Sequence, residues 1–346
     1  MTTSSQRSSN IELLRILAMF LVLVQHANFL GIGTPYTVEC LAAPGNTFVR
    51  FLVQCLSFVA VDVFVLISGW FGIKPTLKKL FSLLFQVLFF TISILLIFGL
   101  VKGFGAIHLK SVFKAFMITK CYWFVKSYIC LFILSPVLNA FVGKASKRTF
   151  EIVLICFFAF QTIYGWSDSA PEFNYGASVV AFCGLYLLAR YLRLYPISFL
   201  SREKLCVLSY LGLSLVLAFF IWFLVRMDFH TEYAVKITFS HVNPVIILSS
   251  VALLMAFVNI DMPCSKAINW IAASAFAVYI IHINGFIFRY FQDAVWHIYS
   301  NYPVALRSIL ILCFLAVVFM ACVLLDKIRI FVWQKIDKTL LKRLNI

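Results

Sequence analysis

Long apolar runs alternate with short polar loops along the whole chain. A bilayer core needs about 20 mainly apolar residues per helix. Ten runs fit that length closely enough to predict spans, near 11–30, 49–71, 80–101, 122–142, 150–166, 177–194, 205–225, 243–260, 268–289 and 305–325. The fifth and sixth are the shortest. Residues 1–10 form a polar, Ser-rich tail, and 327–346 form a basic one. Over 106–120, Ile107, Leu109, Val112, Phe113, Phe116 and Met117 interleave with lysines, which predicts a helix lying in the membrane interface. The first run is too long for the core of a signal peptide and is broken by Gln25 and His26, so it is expected to stay as a span. No internal repeat or soluble insert interrupts the pattern. The expectation is one all-α domain over 1–346, a polytopic helical bundle of about ten transmembrane helices embedded in membrane lipids.

Composition agrees with this reading. The chain is 63% hydrophobic and only 12% charged, too apolar for a soluble protein of this length. A net charge of +16 would suit a nucleic-acid partner, but the bases sit in loops between spans, so none is expected. Lys74, Lys78 and Lys79, then Lys144, Lys147 and Arg148, then Arg190, Arg193, Arg202 and Lys204 fall on one side, with the C-terminal bases. The positive-inside rule places these loops and both termini in the cytoplasm, with the spans in the inner membrane. Lys102, Lys110, Lys114 and Lys120 fall on the opposite side, where an interfacial helix turns them toward water or, alternatively, toward an anionic glycan or lipid carrier. The ten cysteines are scattered without a CxxC or Cys/His cluster, so neither a metal site nor a disulfide framework is predicted. Cys40 and Cys121 both fall in outer loops.

Four stretches carry polar groups where lipid would exclude them. In the first, Ile11 to His26, the eleven steps from Arg15 to His26 come to about 1100°, or about 20° past three turns. Both side chains therefore share a face, about 16 Å apart along the axis, and Glu12 is spaced to pair with Arg15. A charge at the bilayer centre costs at least about 2.5–3.5 kcal/mol, which favours a use for it. Snorkelling of Arg15 and a helix–helix hydrogen bond from His26 fit the same residues.

The second stretch, Val61 to Lys79, places Asp62 within a span. It is either a functional carboxylate or one neutralised by Arg15 or a nearby hydroxyl. Ser68 and Gly69 permit close helix approach. Lys74, Lys78 and Lys79 set topology or, as a cluster, hold a polyanion such as coenzyme A phosphates. In the third, Cys121 to Val142, Trp123 suits an interfacial aromatic belt, Tyr128 and Asn139 are polar groups within the span, and Pro136 frees backbone groups that a cavity can use. In the fourth, Ala273 to Phe288, His282 either lines a cavity with His26 or serves packing.

Taken in order, these stretches resemble the acyltransferase 3 family of integral membrane acyltransferases over nearly the whole chain. Arg15 and His26 match its arginine, ten residues, histidine pattern. Phe64 to Trp70 is similar to its phenylalanine-rich segment ending in Ser-Gly-aromatic. Trp123, Phe124, Tyr128, Pro136, Leu138 and Asn139 match a third motif, and Tyr279 with His282 a fourth. Many members follow the Ser-Gly segment with Arg-x-x-Arg, where this chain has Lys74, Lys78 and Lys79. Lysine lacks the guanidinium fork, so the donor-phosphate role is unsettled at that point.

The resemblance implies O-acyl transfer, commonly of acetyl, from cytoplasmic acyl-CoA as co-substrate to a hydroxyl of an extracytoplasmic or lipid-linked polysaccharide, with no bound cofactor. His26 would take the hydroxyl proton, with a covalent acyl-histidine as the open alternative. Arg15 would act with it, oriented by Glu12, on the donor side. Asp62, Lys74, Lys78, Lys79, Trp123, Tyr128, Asn139 and His282 complete the expected substrate contacts. The rival classes are a transporter or flippase for a glycan or small anion, which would use the same charges as a path, and a membrane scaffold or sensor without turnover.

Overall fold

The computed structural model describes residues 8–107 and 122–338. Among these, every regular element is helical. The chain runs α1 (Ser9–Gln25), a π-helical segment (His26–Ile32), α2 (Thr37–Ala42), α3 (Pro44–Phe58), α4 (Ala60–Phe71) and α5 (Leu77–Lys102). From Tyr122 onward come α6 (Trp123–Lys144), α7 (Lys147–Tyr164), α8 (Val179–Leu194), α9 (Glu203–Arg226), α10 (Thr231–Thr238) and α11 (Pro244–Val258). The chain closes with α12 (Lys266–Ala272), α13 (Ala275–His282), α14 (Phe288–Asn301) and α15 (Val304–Ile336). The starts are written in the sequence. Thr76, Ser146, Ser178, Asn243 and Ser265 each accept a hydrogen bond from a backbone N–H two or three residues on.

Among the described residues, six helical stretches are long and apolar enough to cross a membrane: Ser9–Ile32, Pro44–Phe71, Leu77–Lys102, Trp123–Lys144, Glu203–Arg226 and Val304–Ile336. The ten-span expectation is therefore met in part. The other four expected positions are helical but fall short. α7 carries Lys147, Arg148 and Glu151 within its 18 residues, and α8 has only 16. Pro244–Val258 and Lys266–His282 are apolar but short. The expected interfacial helix over 106–120 lies almost wholly outside the described residues, as do Cys121 and residues 339–346.

α1 runs through the middle, against α3, α4, α11, α12, α13 and α15. Its Leu14, Ala18 and Leu23 are sealed from solvent within one large apolar cluster. On α15, by contrast, Ile309, Leu312, Val317, Leu324 and Ile328 are exposed, as residues facing lipid must be. α4 and α8 meet at Gly69, where a Cβ would stand 2.5 Å from the Tyr186 carbonyl oxygen.

Two local expectations change. Pro136 has no N–H for the Phe132 carbonyl, yet that carbonyl is not left for a cavity. Ser135 Oγ donates to it at 2.7 Å. The first residues of the expected basic tail are helical, because α15 continues to Ile336. Arg329 lies inside, donating through Nε and Nη2 to Asp326 at 2.9 and 2.8 Å, while Gln86 donates to the same carboxylate at 3.2 Å. A buried, paired arginine of this kind is no guide to topology.

Candidate active site

α1 changes from α to π geometry at His26. The cause lies in what grips the following residues. Asn28 Nδ2 donates to the Arg50 carbonyl at 2.8 Å and to Gln54 Oε1 at 3.1 Å. The Arg50 guanidinium returns bonds to the carbonyls of Asn28 and Gly33. Gly31 sits against Val295 of α14 with no room for a side chain. The widened turn is thus fixed from outside, and π segments of this kind concentrate at functional sites.

His26 opens onto a cavity of about 480 Å³ whose walls include Gln25, Gln54, Trp123, Tyr175, His241 and Tyr279. His282 does not line it. At 1% exposure it stands behind His26, which corrects the expectation of a shared cavity wall. The two rings are joined, with His26 Nδ1 2.8 Å from His282 Nε2. His282 Nδ1 lies 2.6 Å from the Val278 carbonyl. A carbonyl only accepts, so His282 Nδ1 carries its proton. For two neutral rings, His282 Nε2 then accepts and His26 Nδ1 donates. This leaves His26 Nε2 with an unshared pair, on a side chain that borders the cavity.

A second cavity, of about 290 Å³, lies at the Arg15 end of α1. Glu12, Arg15, Ser68 and Tyr128 supply its polar wall. Arg15 Nη1 meets Glu12 Oε1 at 2.6 Å, and the Ser68 and Tyr128 hydroxyls are 3.1 Å apart. Glu12 Oε2 is buried with no protein hydrogen bond among the described residues. Phe64, Phe124 and Phe276 line both cavities. Arg15 and His26 therefore border two chambers divided by one aromatic wall.

Other expected site residues sit elsewhere. Asn139 donates to the Ile73 carbonyl at 2.8 Å and accepts from Tyr186 Oη at 2.7 Å, so it braces the turn after α4 and borders neither chamber. Lys78 is paired with Asp337 at 2.6 Å, and Lys79 donates to the Lys74 carbonyl at 2.9 Å. This lysine group is outside both chambers. Trp123 is on the cavity wall, its ring 5.6 Å from that of His241, rather than in a lipid-facing belt. Among the described residues, Asp62 pairs neither with Arg15 nor with a hydroxyl. Its Oδ1 is 3.0 Å from His241 Nδ1.

His241 and Gln54 carry no signal in the sequence. His241 reads there as a loop residue before an apolar run, and only the fold brings Asp62 to it. At the mouth, Asn174 and Tyr175 adopt positive φ, 43° and 52°. The Tyr175 hydroxyl and the Lys236 ammonium hold the Asp168 carboxyl below its usual range, which keeps this clamp charged.

The helical bundle thus holds two adjoining chambers, one bordered by the His26 imidazole and the other by the Arg15 guanidinium. Residues 8–326 match the family model Acyl_transf_3, described as an acyltransferase domain, and the chain belongs to that family as a membrane acyltransferase. No curated relative and no solved structure matches it.

Proposed function

We propose that the protein transfers an acyl group, most simply acetyl, from cytoplasmic acyl-CoA to a hydroxyl of an extracytoplasmic or lipid-linked saccharide. The observation that carries this reading is the ring chain from Val278 through His282 to His26, which leaves a basic nitrogen at a cavity beside an aromatic wall. In this scheme the hydroxyl gives its proton to His26 Nε2 while its oxygen attacks the thioester carbonyl. The new C–O bond forms, the C–S bond breaks, and the coenzyme leaves as a thiolate that takes up the proton.

The donor enters from the Arg15 end, which the charge pattern assigns to the cytoplasm, with both termini. Arg15, held by Glu12, binds the polar part of the donor arm. The thioester passes the wall formed by Phe64, Phe124 and Phe276 to reach His26. Trp123 and Tyr175 give the outer chamber flat faces suited to sugar rings. Lys78, already neutralised by Asp337, contributes little to donor binding.

Calorimetric titration of the purified protein with acetyl-CoA tests the donor side. Saturable binding is expected. Arg15→Ala removes a charge-assisted hydrogen bond worth about 1.5–3 kcal/mol, a loss of roughly 10–150-fold in affinity. Lys78→Ala is expected to stay close to wild type. Absence of binding to the wild-type protein would remove acyl-CoA as the donor.

A further inference from the structure

The outer chamber holds a second histidine that the transfer step above does not use. His241 is 6% exposed, and its partner Asp62 is sealed from solvent. Asp62 Oδ1 is 3.0 Å from His241 Nδ1, and the imidazole stacks on Phe58 with centroids 4.6 Å apart and planes 16° apart. The backbone is held as firmly. His241 N–H donates to the Tyr175 carbonyl at 3.0 Å, and Gly176 leaves no space beside it, since a Cβ there would come within 2.5 Å of the His241 Cβ. His241 lies in the break between α10 and α11, irregular backbone that borders a cavity.

An apolar packing role does not need a buried carboxylate. An aspartate inside the membrane domain is costly unless it orients something. Here it faces Nδ1 of an imidazole whose ring borders the cavity, on the side of Tyr175 and Trp123. With Nδ1 turned to the carboxylate, Nε2 is the nitrogen left to bind a ligand, as it is in His26. The chamber thus presents two imidazoles in one space of about 480 Å³, His26 held at Nδ1 by His282 and His241 with its Nδ1 3.0 Å from the Asp62 carboxylate.

We propose that the Asp62–His241 pair is an acceptor subsite: His241 Nε2 binds a second hydroxyl of the molecule whose first hydroxyl reacts at His26. The ligand class is a polyol such as a sugar ring, in contrast to a mono-alcohol. The inference rests on the transfer reaction proposed above. Within it, His241 is a binding and positioning residue that leaves the proton transfer to His26.

The test uses the full-length protein in its native membranes, with endogenous glycan as acceptor and labelled acetyl-CoA as donor. His241→Phe keeps the stacked ring and removes both nitrogens. His241→Gln keeps a hydrogen-bonding end but cannot relay a proton. His241→Phe is expected to lower transfer by about tenfold or more, the loss of one buried hydrogen bond of about 1.4 kcal/mol, with acetyl-CoA affinity unchanged. His241→Gln should retain at least a third of wild-type transfer. Asp62→Asn, which keeps the shape of the pair, should fall between them and guards against a folding failure in the Phe variant.

Transfer by His241→Phe at the wild-type level overturns the subsite. Equal, deep losses in Phe and Gln variants with intact donor binding also overturn it, because they indicate a proton-transfer role. If the wild-type protein itself fails to bind acetyl-CoA, the failure belongs to the donor assignment instead.

Discussion

The His26→Gln protein is expected to reach the membrane at the wild-type level and to lose acyl transfer by about 10²–10⁴-fold, the usual worth of general acid–base catalysis. Glutamine fills similar space and can still accept or donate a hydrogen bond, so a packing role for His26 would survive the change. It cannot take a hydroxyl proton. The neighbour makes the prediction sharper. His282 Nε2 lies 2.8 Å from His26 Nδ1 and fixes which His26 nitrogen holds the proton. His282→Leu removes that control, so the His26 ring divides between tautomers and orientations. A smaller loss is expected there, on the order of tenfold to a hundredfold, in line with lost positioning of a reacting group. His282→Gln offers an amide oxygen to the same N–H and should recover part of it. Rates of acyl transfer, normalised to membrane level, decide both points. Near-normal transfer by His26→Gln would remove His26 from the mechanism.

Gly69→Val is expected to have the largest effect on folding. The Cβ position at Gly69 is 2.5 Å from the Tyr186 carbonyl oxygen and 2.9 Å from the Ala189 Cβ. Neither neighbour is the free end of a flexible side chain, so α4 and α8 must separate. Overpacking typically costs about 1–3 kcal/mol and more where backbone must move. Separation also shifts Ser68, which borders the Arg15 chamber, and Asp62, one helix turn and more upstream. Folded yield and melting temperature in detergent measure the effect. Gly212→Ala on α9, where nothing lies within 4 Å of the added carbon, serves as the control and should melt at or above wild type.

Much of the bundle is legible in the chain because lipid imposes a simple rule. A helix must be about 20 apolar residues long, and runs such as Leu77–Lys102 and Val304–Ile336 state it openly. The rule is silent on α8, α11 and α13, which are shorter than that length and packed among their neighbours. The first helix of the site is legible for a related reason. Arg15 and His26 are costly in lipid, and their spacing alone puts them on one face.

The partners of those residues are not legible. His282 at His26, His241 at Asp62 and Asp337 at Lys78 each come from distant parts of the chain, and no local pattern announces them. The lysines after α4 have partners that are equally hidden in the chain: Lys78 pairs with Asp337, and Lys79 donates to the Lys74 carbonyl. The wall of Phe64, Phe124 and Phe276 is also invisible in sequence, since three helices far apart in the chain each contribute one of the rings. It divides a single helix face into two chambers.

The central claim is acyl transfer from a coenzyme A thioester to a saccharide hydroxyl with His26 as the proton acceptor. The most direct measurement supplies acetyl-CoA labelled in its acetyl group to sealed membranes that hold the protein and its native glycan. The account predicts label in the glycan as an alkali-labile ester, with free coenzyme A released in equal amount, and none of this ester with the His26→Gln protein. Label that never enters the glycan, or enters it equally with the His26→Gln protein, would contradict the account.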